Sequence, residues 1–239
     1  EMELAARYAV SQGTVRKAID ELVKSASNLS NGLYEANKEV YKLLRYGVSV
    51  REELGQPKQT VWLIDWNNPE NNHFAFAEEV TVSGKHEKRP DIVFYVNGIA
   101  LGILELKRSK VGVSEGIRQN LDNQKPEFIQ KFFTTVQFVT AGNDTQGLRY
   151  GTIETSEKYY LQWKEESNQK FDYLIDKHIS QLLDKKRFLE LIHDFVVFDK
   201  GTKKLARPNQ YFGITAAHEN VRNRQGGIIW HTQGSGKSL

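Results

Sequence analysis

RPDIVFYVNGIALGILELK, residues 89–107, contains two apolar runs on either side of an Asn-Gly pair. An Asn-Gly pair between two such runs is typical of a β-hairpin with a tight turn. Glu105 and Lys107 are two residues apart on the second run, so as strand residues they project from the same face. Charged residues inside an apolar strand are costly unless something compensates them, and a divalent cation with a phosphate does so. The segment therefore predicts a hairpin that carries a charged site.

The face on which Asp91 lies depends on the length of the hairpin loop. Directly opposed residues of an antiparallel pair share a face, so a one-residue change of register moves a side chain to the other face. A two-residue loop pairs Asp91 with Leu104 and separates it from Glu105. A three-residue loop that includes Ile99 pairs Asp91 with Glu105 instead. Because a shared site needs both carboxylates on one face, we predict an odd loop or a bulge here.

Asp91, Glu105 and Lys107 together indicate a site that cuts phosphodiester bonds. Such hydrolysis needs a hard cation that offsets charge on the phosphate and lowers the pKa of water, and carboxylate oxygens suit magnesium. Lys107 then orients the water or stabilises the developing negative charge. The alternative interpretation is a surface hairpin whose Glu-Leu-Lys faces solvent.

The composition is that of an ordinary globular protein. Hydrophobic residues make up 39% and charged residues 26% of the 239 residues, which is ample material for a core. A net charge of +3 is compatible with a nucleic-acid partner but too small to argue for one alone. The absence of cysteine excludes disulfides, thiolate zinc sites and cysteine nucleophiles, and fits a reducing cytoplasm. No apolar run approaches the ~18 residues of a membrane span and no signal peptide opens the chain, so we expect no membrane partner.

The remaining pattern predicts an α/β fold. Apolar spacing predicts a helix, a break and a second helix over residues 2–24, a linker over 24–32 and a helix over 33–44. Residues 114–129 are predicted as a helix interrupted at Pro126, residues 156–197 as mostly helical, and residues 211–221 as a helix. Predicted strands cover residues 60–66, 74–82, 91–96, 100–106, 134–140, 196–198 and, as a short buried strand, 227–230.

A phosphate-binding loop is predicted in QGSGKS, residues 233–238, after the short apolar strand that a P-loop requires. The glycines let backbone N–H groups approach phosphates, Lys237 reaches the terminal phosphates and the Ser238 hydroxyl ligates magnesium. The general pattern has glycine six residues before the lysine, where this chain has His231. A simple Gly-Ser turn is the alternative. Because the sequence stops within this motif and starts within a predicted helix, we expect it to be a piece of a longer protein.

The motif around the hairpin resembles the N-terminal nuclease domain of the motor (R) subunit of type I restriction endonucleases, a PD-(D/E)xK nuclease. The likeness extends from about Leu33 to the C-terminal end and includes a helix end at 41–47, the strand at 62–66 and FVVFD at 195–199. It implies a restriction-endonuclease-like mixed sheet flanked by helices over residues 31–200. The start of a RecA-like motor domain is implied for residues 201–239.

By position, the resemblance implies that Asp91 and Glu105 are the metal ligands and that Lys107 is the catalytic lysine. Gln119 matches the glutamine of a Gln-x-x-x-Tyr helix motif that these nucleases place beside the site. The tyrosine position holds Asn123 in this chain.

A carboxylate from a helix often completes sites of this kind. Glu35 and Glu39 are the candidates in this sequence, and a solvated helix face is the alternative role for both.

TQGSGKS, residues 232–238, resembles motif I of superfamily 2 helicases and translocases, and RPNQY, residues 207–211, resembles their adenine-reading glutamine segment. The resemblance implies that ATP is bound in the full-length protein. The implied nucleotide-binding residues are Gln210, Thr232, Gly234, Ser235, Gly236, Lys237 and Ser238. No second acidic motif or arginine finger follows, so we do not expect this chain alone to hydrolyse ATP.

ELAARYAVSQGTVRKA, residues 3–18, resembles the helix-turn-helix of GntR-type regulators. In that family the second helix enters the major groove, and Ser11, Gln12, Thr14 and Arg16 stand at DNA-contacting positions. We assign residues 1–30 to this segment and its linker. The preceding helix and the following wing of that family are not present, and the alternative is an N-terminal helical hairpin packed on the nuclease.

Three functional hypotheses result. The first is an R-subunit nuclease that cuts double-stranded DNA with Mg²⁺ after ATP-driven translocation by the intact enzyme, with methyltransferase and specificity subunits as partners. The second is a nuclease-helicase of DNA repair. The third is a GntR-like DNA-binding regulator with an appended domain.

Overall fold

The computed structural model describes residues 10–52, 55–231, 233 and 235. Six α-helices lie in these ranges: α1 (Gln12–Ser27), α2 (Gly32–Tyr46), α3 (Val113–Asn123), α4 (Leu174–Leu182), α5 (Lys185–Asp194) and α6 (Pro208–Arg222). The strands in the same ranges are β1 (Val48–Arg51), β2 (Lys58–Val61), β3 (Phe74–Glu78), β4 (Ile92–Val96), β5 (Ile99–Leu106), β6 (Phe138–Asn143), β7 (Gly147–Gly151), β8 (Val196–Asp199) and β9 (Thr202–Leu205). Short 3-10 helices occupy Pro69–Asn71, Gln130–Thr134 and Glu157–Tyr159.

A five-stranded sheet in the order β3-β4-β5-β6-β7 forms the centre of the fold. Its neighbouring strands are antiparallel except for β5 and β6, which are parallel and are joined by the connection that contains α3. The pairs β1–β2 and β8–β9 form separate two-stranded sheets. The predicted mixed sheet flanked by helices is therefore confirmed.

The hairpin between β4 and β5 turns on Asn97 and Gly98, whose φ angles are 51° and 80°. Two successive residues with positive φ match the right-handed twist of the flanking strands, which is why Asn-Gly is favoured there. Val96 pairs with Ile99, so the loop has two residues. The Asn97 amide also donates to Leu63 O at 2.9 Å, which fixes the turn to the preceding segment.

A β-bulge in β5 supplies the odd offset that the sequence predicts. Tyr95 pairs with Ala100 and Phe94 with Gly102, so Leu101 is the extra residue. The sequence predicts either an odd loop or a bulge. The loop is even, and the bulge confirms the second alternative. From Gly102 onward every β5 side chain points to the face opposite to the one a regular hairpin would give it.

Apolar residues cover both faces of the central sheet. The adjacent residues Ile103 and Leu104 of β5 are both fully buried, each in a different cluster. The cluster around Leu104 is covered by α1, α2 and α5, and includes Leu44, Val96, Phe138, Tyr150, Trp163 and Phe188. The cluster around Ile103 is covered largely by the segment before β6, and includes Leu33, Val93, Ile129, Phe133, Val136 and Val139. A strand buried on both faces explains why residues 99–104 are almost continuously apolar.

The N-terminal helix α1 packs on the rest of the fold. Ser11 caps it, since its Oγ accepts from Thr14 N at 3.1 Å, and Val15, Ala18 and Leu22 are buried against α2 and the β1–β2 pair. Thr14 itself is 1% exposed, so the expectation that it stands at a DNA-contacting position is wrong. Of the alternative interpretation, a helical hairpin packed on the rest of the fold, the described residues show only the second helix and its packing. The first half of the helix-turn-helix-like segment, residues 1–9, lies outside the described residues.

Several element predictions are wrong at their ends. Residues 24–27 continue α1 rather than forming a linker, and Ala26 in this turn packs against the core. The predicted strand at 134–140 begins only at 138, since the preceding residues form a 3-10 helix. Residues 160–173 are not helical, and Leu161 instead exchanges two backbone hydrogen bonds with Tyr150 at the sheet edge. The glycine-flanked strand β7 has no alternating apolar pattern and was not predicted.

The short strand predicted at 227–230 is also wrong. These residues form no strand, and Ile228 and Trp230 are 91% and 87% exposed. A buried strand needs neighbouring strands for its backbone hydrogen bonds, and none of the described residues supplies one. Within the described part of the chain no helix is long and apolar enough to cross a membrane.

A buried polar cluster joins three parts of the fold. The Asn37 amide of α2 donates to the carbonyls of Phe133, Thr134 and Val136 at 2.8–3.0 Å. Its Oδ1 accepts from the Lys203 ammonium of β9 at 2.8 Å. These bonds occupy carbonyls that a regular strand would pair with a neighbour, which explains why the segment before β6 is not extended.

Replacing Asn37 with alanine should be strongly destabilising, because three buried carbonyls and the Lys203 ammonium lose a partner. We expect the free energy of unfolding to fall by about 2–4 kcal/mol, measured by urea denaturation followed by tryptophan fluorescence. Glu39→Ala, on the same helix but in an exposed pair with Lys42, is the matched control and should cost under about 1 kcal/mol. A similar, small loss in both variants would contradict this role of Asn37.

Candidate active site

The bulge brings Asp91 and Glu105 to the same position across the hairpin. Ile92 pairs with Leu104, so the next step of the register places Asp91 opposite Glu105. Asp91 is held there by two hydrogen bonds, from Leu106 N to its Oδ2 at 2.7 Å and from Glu79 N to its carbonyl at 2.8 Å. The predicted shared face is therefore present.

Gln119 of α3 links the other two predicted residues. Its Nε2 donates to Glu105 Oε2 at 2.7 Å, and its Oε1 accepts from Lys107 Nζ at 2.7 Å. Lys107 Nζ also lies 3.8 Å from Glu105 Oε2. Backbone pairing continues to this point, since Lys107 N donates to Gly142 O at 2.9 Å. All four residues predicted for the site, Asp91, Glu105, Lys107 and Gln119, are brought together.

The helix can reach this strand because Gly116 has no side chain. A Cβ at Gly116 would lie 3.0 Å from Ala141 Cβ and 3.5 Å from Glu105 Cβ, so α3 packs directly on β5 and β6. Gln119 follows three residues later on the same helix face. Sequence reasoning missed Gly116, although a glycine one turn before a site residue within a helix is a signal for close packing.

Glu105 is fully buried, and this shifts its ionisation. Burial, followed by the negative charge of Asp91, raises the pKa of Glu105 to about 8, against an ordinary value of 4.5. The Lys107 ammonium acts in the opposite direction and lowers the pKa. The Oε1 atom of Glu105 has no hydrogen-bond donor among the described residues. A proton on Glu105, which would bond to Asp91, or a cation between the two carboxylates would satisfy this oxygen.

Lys88 is a further basic residue at the site that the sequence did not single out. Its charge is close enough to lower the pKa of Glu105, and its Nζ lies 4.2 Å from the centre of the Phe128 ring. Lys88 lies in the β3–β4 connection, three residues before Asp91, and this position in the chain was the available signal.

The two helix carboxylates considered as further ligands do not join the site. Glu35 and Glu39 instead lie beside Lys38 and Lys42 on the outer face of α2. In the described ranges, no group of three or more Asp, Glu, His or Cys side chains is arranged to hold a metal ion. The Tyr position of the helix motif, Asn123, is buried, and its backbone carbonyl accepts from Ile129 N.

The predicted nucleotide-binding residues are described only in part. Gln210 lies in the first turn of α6, where its Oε1 accepts from Arg207 N at 2.8 Å. The neighbouring Asn209 side chain donates to Ser235 O at 3.1 Å, so the start of α6 contacts the loop motif. The residues outside the described set are Thr232, Gly234, Gly236, Lys237 and Ser238.

Two protein families match this chain. Residues 2–158 match the family described as the N terminus of the type I restriction enzyme R protein. Residues 209–239 match the SWI2/SNF2 ATPase family.

Similar proteins carry consistent descriptions. The type I restriction enzyme HindI endonuclease subunit of Haemophilus influenzae is 31% identical over 93% of this chain and 23% of its own length. The putative type I restriction enzyme MjaVIIIP endonuclease subunit of Methanocaldococcus jannaschii is 28% identical over 94% of this chain and 22% of its own length. The type I restriction enzyme SsaAORF53P endonuclease subunit of Staphylococcus saprophyticus is 24% identical over 70% of this chain and 18% of its own length.

The chain thus spans less than a quarter of the length of the first two relatives. With a match over residues 2–158, it belongs to the type I restriction enzyme R protein family, of which it is an N-terminal region followed by the beginning of a SWI2/SNF2 ATPase segment.

Proposed function

We propose that this chain is the nuclease region of a type I restriction R subunit, and that it cleaves double-stranded DNA with the help of Mg²⁺. The observation that carries the proposal is the joint position of Asp91, Glu105, Lys107 and Gln119 at one end of the β4–β5 hairpin. A solvent-facing hairpin does not account for a fully buried Glu105 beside a second carboxylate. The site therefore favours chemistry over a purely structural role.

The residues present fit a divalent cation. Asp91 and Glu105 offer carboxylate oxygens, one of which, Glu105 Oε1, is buried without a donor among the described residues. Hard cations such as Mg²⁺ prefer such oxygen ligands. When bound, Mg²⁺ supplies positive charge that offsets the phosphate and makes water a stronger nucleophile.

Lys107 and Gln119 have separate roles in this proposal. The Lys107 ammonium, whose side chain remains 19% exposed, stabilises the negative charge that develops on the phosphate. Gln119 is a positioning residue, because it accepts from Lys107 and donates to Glu105 at the same time. Together these contacts fix the lysine beside the carboxylate pair before the substrate arrives.

The intact enzyme couples this site to ATP-driven translocation. The match of residues 209–239 to an ATPase family supports ATP binding by Gln210 and the loop motif at 232–238 in the full-length protein. We assign double-stranded DNA and the methyltransferase and specificity subunits as partners, and the cytoplasm as the location. The domain limits proposed are 1–30, 31–200 and 201–239, with α1 packed on the second.

Asp91→Asn and Lys107→Ala should each lower DNA cleavage by the full-length R subunit at least about 100-fold, because charge at the site is lost. Asp91→Asn retains an oxygen that accepts from Leu106 N, so it tests charge rather than the fold. Cleavage of circular DNA is measured with the partner subunits, with ATP hydrolysis in the same mixtures as the check on the motor. Glu39→Gln and Lys42→Ala are matched surface controls and should cut normally. Normal cleavage by either site variant would refute the assignment.

Glu105 should make the stability of the metal-free protein fall as pH rises. Its pKa is about 8 when folded and 4.5 ordinarily, so the folded chain keeps a proton that the unfolded chain releases between these values. We expect a loss of up to about 5 kcal/mol across this window, which levels off above pH 8 and is absent in Glu105→Gln. Denaturant melts at several pH values measure it.

Mg²⁺ should reverse this loss in the wild-type protein, because the cation displaces the proton and compensates the carboxylate. At pH 8.5 millimolar Mg²⁺ is expected to raise the melting temperature of the wild type and to leave that of Glu105→Gln unchanged. The exposed change Glu39→Gln should retain both the pH dependence and the response to Mg²⁺. An equal response of Glu105→Gln to Mg²⁺ would place the cation elsewhere.

A further inference from the structure

Two basic loops leave the sheet at the end where the candidate active site lies. β4 and β5 are antiparallel, so the start of β4 and the end of β5 lie side by side. The β3–β4 loop, residues 79–90, leads into Asp91, and the β5–α3 loop, residues 107–112, begins at Lys107. Both loops therefore adjoin the carboxylate pair.

These two loops account for the net positive charge of the chain. They hold six Lys or Arg residues and two Glu residues, whereas the net charge of the whole chain is +3. The rest of the chain consequently has no positive excess. The six basic residues are Lys85, Lys88, Arg89, Lys107, Arg108 and Lys110.

Three of these six side chains are exposed and are not neutralised by an acidic neighbour among the described residues. In the part of the chain that the structure describes, Lys85, Arg108 and Lys110 are exposed and form no ion pair. The basic residues of the nearby α3 region differ, because Arg118 and Lys125 pair with acidic neighbours at 2.5–3.1 Å. Lys85, Arg108 and Lys110 of the loops are therefore more available to an anionic ligand than Arg118 and Lys125 are.

The β3–β4 loop is held rigidly against the segment before β6. Lys85 N and His86 N donate to the carbonyls of residues 128 and 127 at 3.3 and 3.0 Å. A Cβ at Gly84 would lie 2.2 Å from the Phe128 carbonyl oxygen, so only glycine allows this approach. The Lys88 ammonium lies over the Phe128 ring, where a cation is attracted to the aromatic face. Lys88 thus has a fixed position before any ligand binds.

The β5–α3 loop is fixed in the same manner. Val111 N donates to Arg108 O at 2.8 Å, Asn143 donates to Val111 O at 2.8 Å, and Ser109 Oγ donates to Asp144 at 2.9 Å. The loop is therefore bonded to the end of β6, while the Arg108 and Lys110 side chains are exposed. A binding surface that is ordered in advance loses less conformational entropy when its ligand arrives.

We propose that loops 79–90 and 107–112 clamp the DNA backbone on the two sides of the scissile phosphate, through Lys88 on one loop and Arg108 and Lys110 on the other. This inference rests on the proposed function, since it assigns the substrate contacts of the same site. Duplex DNA presents closely spaced phosphates, and each Lys or Arg contact to a phosphate releases condensed counterions. Lys88 lies three residues before Asp91 at the end of its loop, so it holds a phosphate close to the carboxylate pair.

Binding of a short DNA duplex to this 239-residue chain tests the clamp directly. Fluorescence anisotropy is measured over a range of salt concentrations, with Ca²⁺ in place of Mg²⁺ to prevent cleavage. Lys88→Gln and Arg108→Gln should each raise Kd about 3- to 10-fold and reduce the slope of log Kd against log salt by about 1. Lys88→Arg should restore most of the affinity. Lys42→Gln and Arg51→Gln, exposed charges elsewhere, are the controls and should bind as the wild type does.

Cleavage by the full-length R subunit separates the clamp from the active site. The clamp variants should cut poorly at high salt and recover toward the wild-type rate at low salt, whereas Lys107→Ala should remain inactive at every salt concentration. If the wild type itself does not cut, the proposed nuclease function fails, whatever the binding slopes are. If the wild type cuts while Lys88→Gln and Arg108→Gln bind and cut like the two controls, the clamp is refuted and the nuclease assignment stands. Loss of cleavage in Lys88→Gln and Arg108→Gln with an unchanged slope of log Kd against log salt would also refute the clamp.

Discussion

The extra residue in β5, Leu101, determines whether this protein has a site at all. With a two-residue turn at Asn97-Gly98 and no bulge, Asp91 would lie opposite Leu104 and point away from Glu105. The bulge shifts the register by one residue, and the two carboxylates then share a face. The Leu101 carbonyl is fixed in turn by Gln137 N at 2.7 Å, so the start of β6 holds the bulge in place.

Burial of Glu105 is the energetic consequence of this geometry. A carboxylate with no exposed surface is unfavourable when ionised, and the protein holds a second carboxylate beside it. Gln119 and Lys107 offset only part of this, since Glu105 Oε1 still lacks a donor among the described residues. Buried polar groups that remain incompletely satisfied are uncommon and are often found where a ligand binds. The same unfavourable contacts that lower stability at neutral pH are therefore those that would favour a cation.

Local sequence patterns made the hairpin and the site predictable. The features that were not predicted depend on contacts between residues far apart in the chain. Turn chemistry at Asn97-Gly98 and the two-residue spacing of Glu105 and Lys107 are encoded within about 20 residues, and both predictions hold in the structure. The bulge was predicted as a requirement of chemistry, but its location at Leu101 depends on pairing with β6. The 3-10 helix before β6 depends on Asn37, about 100 residues earlier in the chain, and no local pattern discloses such a partner. The strand predicted at 227–230 failed for a similar reason, because its apolar residues need neighbouring strands.

Lys203 connects the site to the strand pair that precedes the ATPase segment. Burial lowers the pKa of Lys203 well below its ordinary value, and its Nζ donates to Asn37 Oδ1 at 2.8 Å and to Gln137 Oε1 at 2.5 Å. Gln137 is the residue whose backbone holds the Leu101 carbonyl. Moving the β8–β9 pair away from the sheet would leave two buried amide oxygens and an ammonium without partners, at a cost of about 1–3 kcal/mol for each group. The strand pair that leads into the ATPase segment is thus bonded to Gln137, the residue that holds the bulge at Leu101, and these parts of the fold are expected to move together rather than independently.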